Sequence, residues 1–506
     1  MHTFIKLITE QARSTPNAVA ITLGKKSITY GKLLQNMKKI HQGATLSGLR
    51  AGDNVLFICK PDIQGLSLAL GLLHAGITVS IVDPFTSDDL FLNRCKSAQV
   101  THVIAPAVLY HIAKPKSILS KLTRMQVADI NRLEAEKLTF GNSISNRKID
   151  AKKWLSMPVP NIEEMSDADS AAIIVFTSGT TSEPKGVVHS FKSLSSSIPA
   201  TAKALNIRAG IRVYSEPMTV GLVALSVGAE WIIPVPGEEF PESCHVWFGT
   251  PKEILDGLDI IEKMKIIPKS METVAVGAAP VLPSLVNRIE QVFNYLPMDI
   301  KTIYGMTEML PIAIGDAKLK KEMSHLGDYI GEPLPNVTIE IAEDGEVFIS
   351  GDNLCKGYSP KPDDQGNLIE MTSLGTGDIG ELMDNGHLIL KGRKKEMFIR
   401  GSMNVYPGLY EPALSSITGV KQAVIVGIPD EFGDDEIVLV VLPLPSADKE
   451  AVRTTVLEEM HKYMDKDAIP TDVILVEALP VSGRANKLDR IKLLSEVLDS
   501  KRPNSN

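Results

Sequence analysis

Three short β-branched runs, "NVLFICK" (54–60), "ITVSIVD" (77–83) and "VTHVIAP" (100–106), are interleaved with helical patterns such as "IQGLSLALGLLHAG" (63–76). A strand followed by a helix cannot meet its successor through a tight hairpin. It pairs in parallel instead, and the helix crosses a face of the sheet. This alternation dominates the first two-thirds of the chain and sets the class as α/β. The longest apolar stretch, residues 65–84, contains His74, Ser67, Ser80 and three glycines. It therefore reads as a buried helix–turn–strand unit, not a membrane span.

The texture changes after Gly331. "NVTIEIAEDGEVFISGDN" (336–353) and "GELMDNGHLILKG" (380–392) alternate in polarity around "DG" and "NG", the pattern of antiparallel hairpins. From about Lys394 the chain reads as a small α+β unit, with a strand pair in "QAVIVGIPDEFGDDEIVLVVLP" (422–443) and a helix behind it. A chain of 506 residues exceeds one hydrophobic core, and about two to four domains or subdomains are expected. A polar stretch from Arg147 to Ser170 marks a seam near 165, and the hairpin texture marks another near 330.

Composition narrows the partners. A net charge of −8 leaves no electrostatic footprint for nucleic acid or an anionic membrane. The four cysteines (Cys59, Cys95, Cys244, Cys355) are scattered without metal-like spacing and read as reduced thiols. "FIKLITEQA" near the start reads as an amphipathic helix, not a signal core, so a cytoplasmic protein is expected.

Chemistry concentrates first in "FTSGTTSEPKG" (176–186), directly behind the buried-strand pattern "AAIIV". Thr177, Ser178, Thr180 and Thr181 offer hydroxyls, Gly179 lets backbone N–H groups approach a ligand, and Lys185 adds a cation. Donors plus one positive charge suit a phosphate chain, although an ordinary polar turn fits the composition as well. The common NTPase loop is excluded, because it needs glycine directly before its lysine, where Pro184 stands here.

"TSGTTSEPKG" resembles the phosphate loop of the adenylate-forming (AMP-binding) superfamily: acyl- and aryl-CoA synthetases, luciferases and peptide-synthetase adenylation domains. Ser182 replaces the usual glycine. Four further segments follow in the family's order. "GAAPVLP" (277–283) resembles the strip lining the adenine pocket, with Gly277, Ala278, Ala279 and Pro280, where Ala278 replaces a second glycine. "YGMTE" follows the strand-like "DIKTI"; alone it also reads as a helix start. The resemblance implies that Tyr304 meets the adenine, with Gly305 beside it in the nucleotide site, Thr307 the α-phosphate, and Glu308 Mg²⁺. Asp378 in "TGD" is implied for the ribose hydroxyls, which a carboxylate can accept in pairs. "GRKKEMFIRGSMNVYP" (392–407) is similar to the family's "GRxxDxIIxGGENIYP", which gives Arg393 a nucleotide contact and Lys395 the hinge position. Ser402, Met403 and Leu409 depart from that pattern. "LPVSGRANKLDR" (479–490) aligns Lys487 with the lysine bridging substrate carboxylate and α-phosphate, Arg484 being a second candidate.

The resemblance covers nearly the whole chain. It implies a large N-terminal domain (1–393) of layered mixed sheets with helices plus a small β-barrel-like subdomain. A small mobile α+β C-terminal domain (394–506) follows. It implies ATP and Mg²⁺ as cofactors and two half-reactions, acyl-AMP formation and transfer to a thiol. The thiol is CoA, or the phosphopantetheine of an acyl or peptidyl carrier protein. "SEPMTVGLVALSVGAEW" (215–231) lacks the Asp that pairs with an amino group. With Leu222, Val223, Leu225 and "WFGTP" (247–251), it points to an apolar carboxylic acid, fatty or aryl. A non-catalytic nucleotide-binding protein of the same fold, and a monomer or homodimer, stay open.

Overall fold

The computed structural model describes residues 2–113, 127–141, 150–176, 185–266, 268–360, 368–400, 403–429, 435–464, 468–482 and 487–501, with backbone alone at 399, 400, 403, 404 and 429. The chain divides into two units. One comprises 1–238, 306–310 and 351–372; the other comprises 239–305, 311–350 and 373–506.

In the first unit the expected crossover pattern forms an eight-stranded sheet. Its order is Ile369–Glu370, Gly357–Tyr358, Gly186–Ser190, Ala171–Phe176, Thr78–Ile81, Asn54–Phe57, His102–Ala105, Glu136–Thr139. The strands read from the first sequence runs pair in parallel, with Val55 opposite both Val79 and His102. Ala171–Phe176 joins them in parallel, Val79 opposite Ile173, and turns back antiparallel into Gly186–Ser190. The helix Ile63–His74 crosses between the first two of these strands, and every residue from Gly65 to His74 is buried. Asp62 caps it by accepting the Gly65 N–H at 2.8 Å. At 12 residues it rises about 18 Å, short of a membrane core. No helix among the described residues is long and apolar enough to cross a membrane.

A second layer of this unit pairs Lys26–Thr29, Val19–Leu23, Glu230–Ile233 and Arg212–Ser215, the last three in parallel. The amphipathic N-terminal helix, Phe4–Ser14, stacks the Phe4 ring on Phe191 with centroids 5.7 Å apart. The helix Met218–Val227 is buried from Val220 to Ser226, which explains its mostly apolar sequence. Gly221 is required there: a Cβ would lie 2.3 Å from the Trp231 ring.

In the second unit Val246–Gly249, Thr273–Gly277 and Asp299–Met306 pair in parallel. Antiparallel strands continue that sheet through Met309–Asp316, Asp328–Pro333, Leu388–Arg393, Leu374–Leu382, Glu346–Gly351 and Val337–Ile341. The "DG" and "NG" turns sit where the sequence places them, with Gly345 and Gly386 at φ 84° and 80°. The tail builds its own sheet from Val420–Pro429, Asp435–Pro443 and Asp472–Leu475. One face sets Ile425, Ile437 and Leu439 against Tyr410, Leu414, Val452 and Val456. The other sets Val424, Val438 and Val440 against Leu493 and Val497 of the last helix, Arg490–Lys501. Covering both faces is why the strands read as continuous apolar runs.

Candidate active site

The hydroxyl loop residues Thr177, Ser178, Gly179, Thr180 and Thr181 lie outside the described residues, as do Ser182 and Pro184. On either side of them, Phe176 stands opposite Gly186 in an antiparallel pair. Lys185 is exposed, its ammonium 5.1 Å from the centre of the Tyr358 ring. That is within the range of a cation–π contact.

Thr307 and Glu308 form the two-residue turn between Asp299–Met306 and Met309–Asp316. The helix-start alternative is thereby excluded: the strand read as "DIKTI" runs on through Tyr304, Gly305 and Met306. The turn is held at three points. His189 Nε2–H donates to the Thr307 carbonyl at 2.7 Å, and the Cys355 N–H donates to the Glu308 carbonyl at 2.7 Å. The Tyr358 hydroxyl donates to Glu308 Oε1 at 2.8 Å. Burial holds His189 below the usual imidazole range, so it stays neutral with its proton on Nε2. Glu308 is itself buried, and no hydrogen bond from a described residue reaches Oε2. No cluster of three or more His, Cys, Asp or Glu able to hold a metal occurs among the described residues. One free carboxylate oxygen fits Mg²⁺, which usually takes one or two carboxylates and completes its shell with phosphate and water.

Neither Tyr358 nor His189 was singled out from sequence. A lone imidazole following the apolar run "GVV" in the strand "GVVHS" is the available signal for His189, since a buried polar ring needs a partner. Tyr358 carried no local signal, because its partner Glu308 is 50 residues away.

In the second unit a buried carboxylate is held between two side chains. Asp378 and Arg393 are register partners on adjacent antiparallel strands. Arg393 Nε lies 2.7 Å from Asp378 Oδ1, and the Tyr304 hydroxyl donates to Oδ2. Thr376 accepts the Asp378 N–H at 3.1 Å, and its own carbonyl accepts from Arg393 at 3.2 Å. Burial pushes the Asp378 carboxyl above its ordinary range, and the Arg393 guanidinium pulls against that shift. Burial, reinforced by Asp378, pushes Tyr304 up and keeps its phenol protonated. Gly277 ends its strand opposite Ile303 of the parallel neighbour. A Cβ there would lie 2.9 Å from the Ile303 carbonyl. Ala278, Ala279 and Pro280 leave the same carboxyl edge as Tyr304, the edge where parallel sheets receive ligands. Ala278 adopts φ 64°, which explains the glycine common at this position.

Lys395 is exposed, between two anchored neighbours. Lys394 Nζ lies 2.6 Å from Asp344 and 2.7 Å from Glu346. Glu396 lies 2.7 Å from Arg490 Nε. Arg490 also reaches Glu411 at 2.6 Å and the Ile425 carbonyl at 3.2 Å. Lys487 stands opposite Ser482 in a short hairpin, exposed, and no ion pair joins it to a described residue. Arg484 lies outside the described residues, as does Ser402, and Met403 is described by backbone alone. Leu409, where an acidic residue is common, packs on the core of the tail.

The family model for AMP-binding enzymes matches residues 8–359. The chain is 25% identical to a 2-succinylbenzoate–CoA ligase of Staphylococcus epidermidis, covering 98% of both chains. It is 24% identical to a long-chain-fatty-acid–CoA ligase of Bacillus subtilis, over 85% of this chain and 83% of that one. Its fold matches the amide bond synthetase McbA of Marinactinospora thermotolerans with a TM-score of 0.78 at 22% identity, covering 98% and 99% of the two chains. With the family model matching more than half of the chain, the protein belongs to the AMP-binding enzyme family.

Proposed function

We propose that the protein joins an apolar carboxylic acid to ATP, releases pyrophosphate, and passes the acyl group from acyl-AMP to the thiol of CoA. The observation that carries this reading is Asp378, buried and flanked by Tyr304 and Arg393, on the edge where Gly277–Pro280 also emerge. In this reading Tyr304 lies against adenine with Gly305 beside it, and Asp378 accepts the ribose hydroxyls. Arg393 neutralises the nucleotide. Thr177 to Thr181 and Lys185 hold the outer phosphates, and Thr307 donates to the α-phosphate. Glu308 is the residue that would hold Mg²⁺, which when bound supplies charge neutralisation of the phosphates.

No protein nucleophile is needed. The chain supplies positioning and charge, and Lys487 brings the cation under which carboxylate and phosphate, both anionic, can meet. Residues 394–506 would then turn about Lys395 to admit the thiol. The helix 218–227 offers no side-chain carboxylate, which supports a fatty or aryl acid over an amino acid. The four cysteines carry thiols, which fits a reducing, cytoplasmic setting.

Acid-dependent ATP–pyrophosphate exchange over fatty, aryl and amino acids tests the first half-reaction. Exchange with one apolar class is expected; exchange only with amino acids would overturn the substrate assignment. Offering CoA and a holo carrier protein separately, with AMP release as readout, tests the acceptor.

A further inference from the structure

The phosphate end of the site contains two charges of opposite sign, Lys185 and Glu308, on separate strand connections. One side chain touches both. Tyr358 donates its hydroxyl to Glu308 Oε1 at 2.8 Å, and the Lys185 ammonium stands 5.1 Å from the centre of its ring. We infer that Tyr358 is a positioning residue that sets the Glu308 carboxylate for a divalent cation with its hydroxyl and steadies Lys185 with its ring. The inference rests on the proposed role of Glu308.

The backbone under Tyr358 is built for this. Gly357–Tyr358 is a two-residue strand clamped on both sides: Tyr358 pairs with Val187 on one neighbour and Ile369 on the other. The Ser359 N–H donates to the Gly186 carbonyl at 2.7 Å, and the Lys356 N–H to the Val188 carbonyl at 2.8 Å. The ring is thus fixed to the strand that begins directly after Lys185.

A carboxylate on a turn has freedom about three side-chain torsions. A single donor at Oε1 selects one arrangement and leaves Oε2 without a donor from any described residue. An oxygen so presented is a ligand with little reorganisation left. The lysine is exposed and long, and the ring face narrows its range before any phosphate arrives.

The two contacts can be separated. Tyr358→Phe removes the hydroxyl and keeps the ring; Tyr358→Leu removes both. Mn²⁺ is titrated into full-length enzyme saturated with α,β-methylene-ATP and followed by electron paramagnetic resonance. Affinity for the analogue is measured in parallel by calorimetry without metal. Tyr358→Phe is expected to weaken Mn²⁺ about 10-fold and leave metal-free analogue binding unchanged. Tyr358→Leu is expected to lose, in addition, about 3-fold in metal-free analogue affinity. In pyrophosphate exchange, Tyr358→Phe should need more Mg²⁺ while keeping its rate at saturating metal, a split that general loosening of the fold would not give. Glu308→Gln is the reference. If it loses Mn²⁺ affinity and Tyr358→Phe does not, the tyrosine assignment is overturned. If Glu308→Gln also binds Mn²⁺ like the parent, the metal role of Glu308 falls first and the inference with it.

Discussion

The Nδ1 atoms of His41 and His74 stand 3.0 Å apart in the core of the first unit, so at most one can carry a proton there. Burial, reinforced by His41, Lys38 and Arg13, brings His74 down to about 3, and burial lowers His41 as well. An unfolded chain would protonate both near pH 6.5. Below that pH the unfolded state binds more protons than the folded one, so stability falls as pH falls. For His74 the loss continues to about pH 3. Each histidine contributes up to about 1.4 kcal/mol per pH unit in its window. Urea midpoints between pH 7 and pH 5 should drop in the parent and drop less in His74→Leu. Equal slopes would remove the pair as the cause.

Ala278 at φ 64° occupies a conformation that disfavours any Cβ. Ala278→Gly should raise stability by about 0.5–1 kcal/mol, because relief of the left-handed backbone outweighs the extra freedom of glycine when unfolded. Ala278→Val should lower it. A melting temperature for Ala278→Gly at or below the parent would contradict the strained conformation.

Lys487→Ala should slow adenylation about 10²- to 10³-fold, the scale of losing one charge-directed donor. The same variant should still convert synthetic acyl-AMP and CoA to thioester. Single-turnover assays of each half-reaction separate the two outcomes. An equal fall in both would place Lys487 outside the adenylation step.

Arg490 neutralises Glu396 and Glu411, two partly buried carboxylates. Burial already pushes Glu396 upward, and Arg490 restrains it. Arg490→Met should destabilise the tail by about 2 kcal/mol or more, since it strands both anions. Arg490→Lys should recover only part of this, because one ammonium nitrogen cannot stand at once where Nε, Nη1 and Nη2 reach two carboxylates and a carbonyl. Hydrogen exchange of the strand Val420–Pro429 reads the effect locally. Unchanged protection there would show that the network contributes nothing to the tail.

Much of this was legible in the residues. β-Branched runs between helical patterns placed Asn54–Phe57, Thr78–Ile81 and Ala171–Phe176, because burial on both faces leaves a continuous apolar signature. The "NG" turn placed the hairpin, but a one-residue register shift between Ile379 and Gly380, for which the residues give no local signal, is what sets Asp378 opposite Arg393. What escaped was long-range. "YGMTE" fits a helix start by composition, and only contacts from His189 and Cys355 make it a turn between strands. The strain at Ala278 escaped too, because a methyl group looks harmless until the sign of φ is known.

The anchoring on either side of Lys395 bears on how the tail could move. Side chains tie residue 394 to the hairpin of Asp344 and Glu346, and residue 396 to the body that contains Arg490. Between these moorings one exposed residue remains, so a swing of the tail would be concentrated in very few backbone torsions. Under the hinge role proposed for Lys395, such a joint would click between a small number of stops instead of drifting through many. Loosening either mooring would blur those stops, and Lys487 would then arrive over a broader range of positions without any change in its own chemistry.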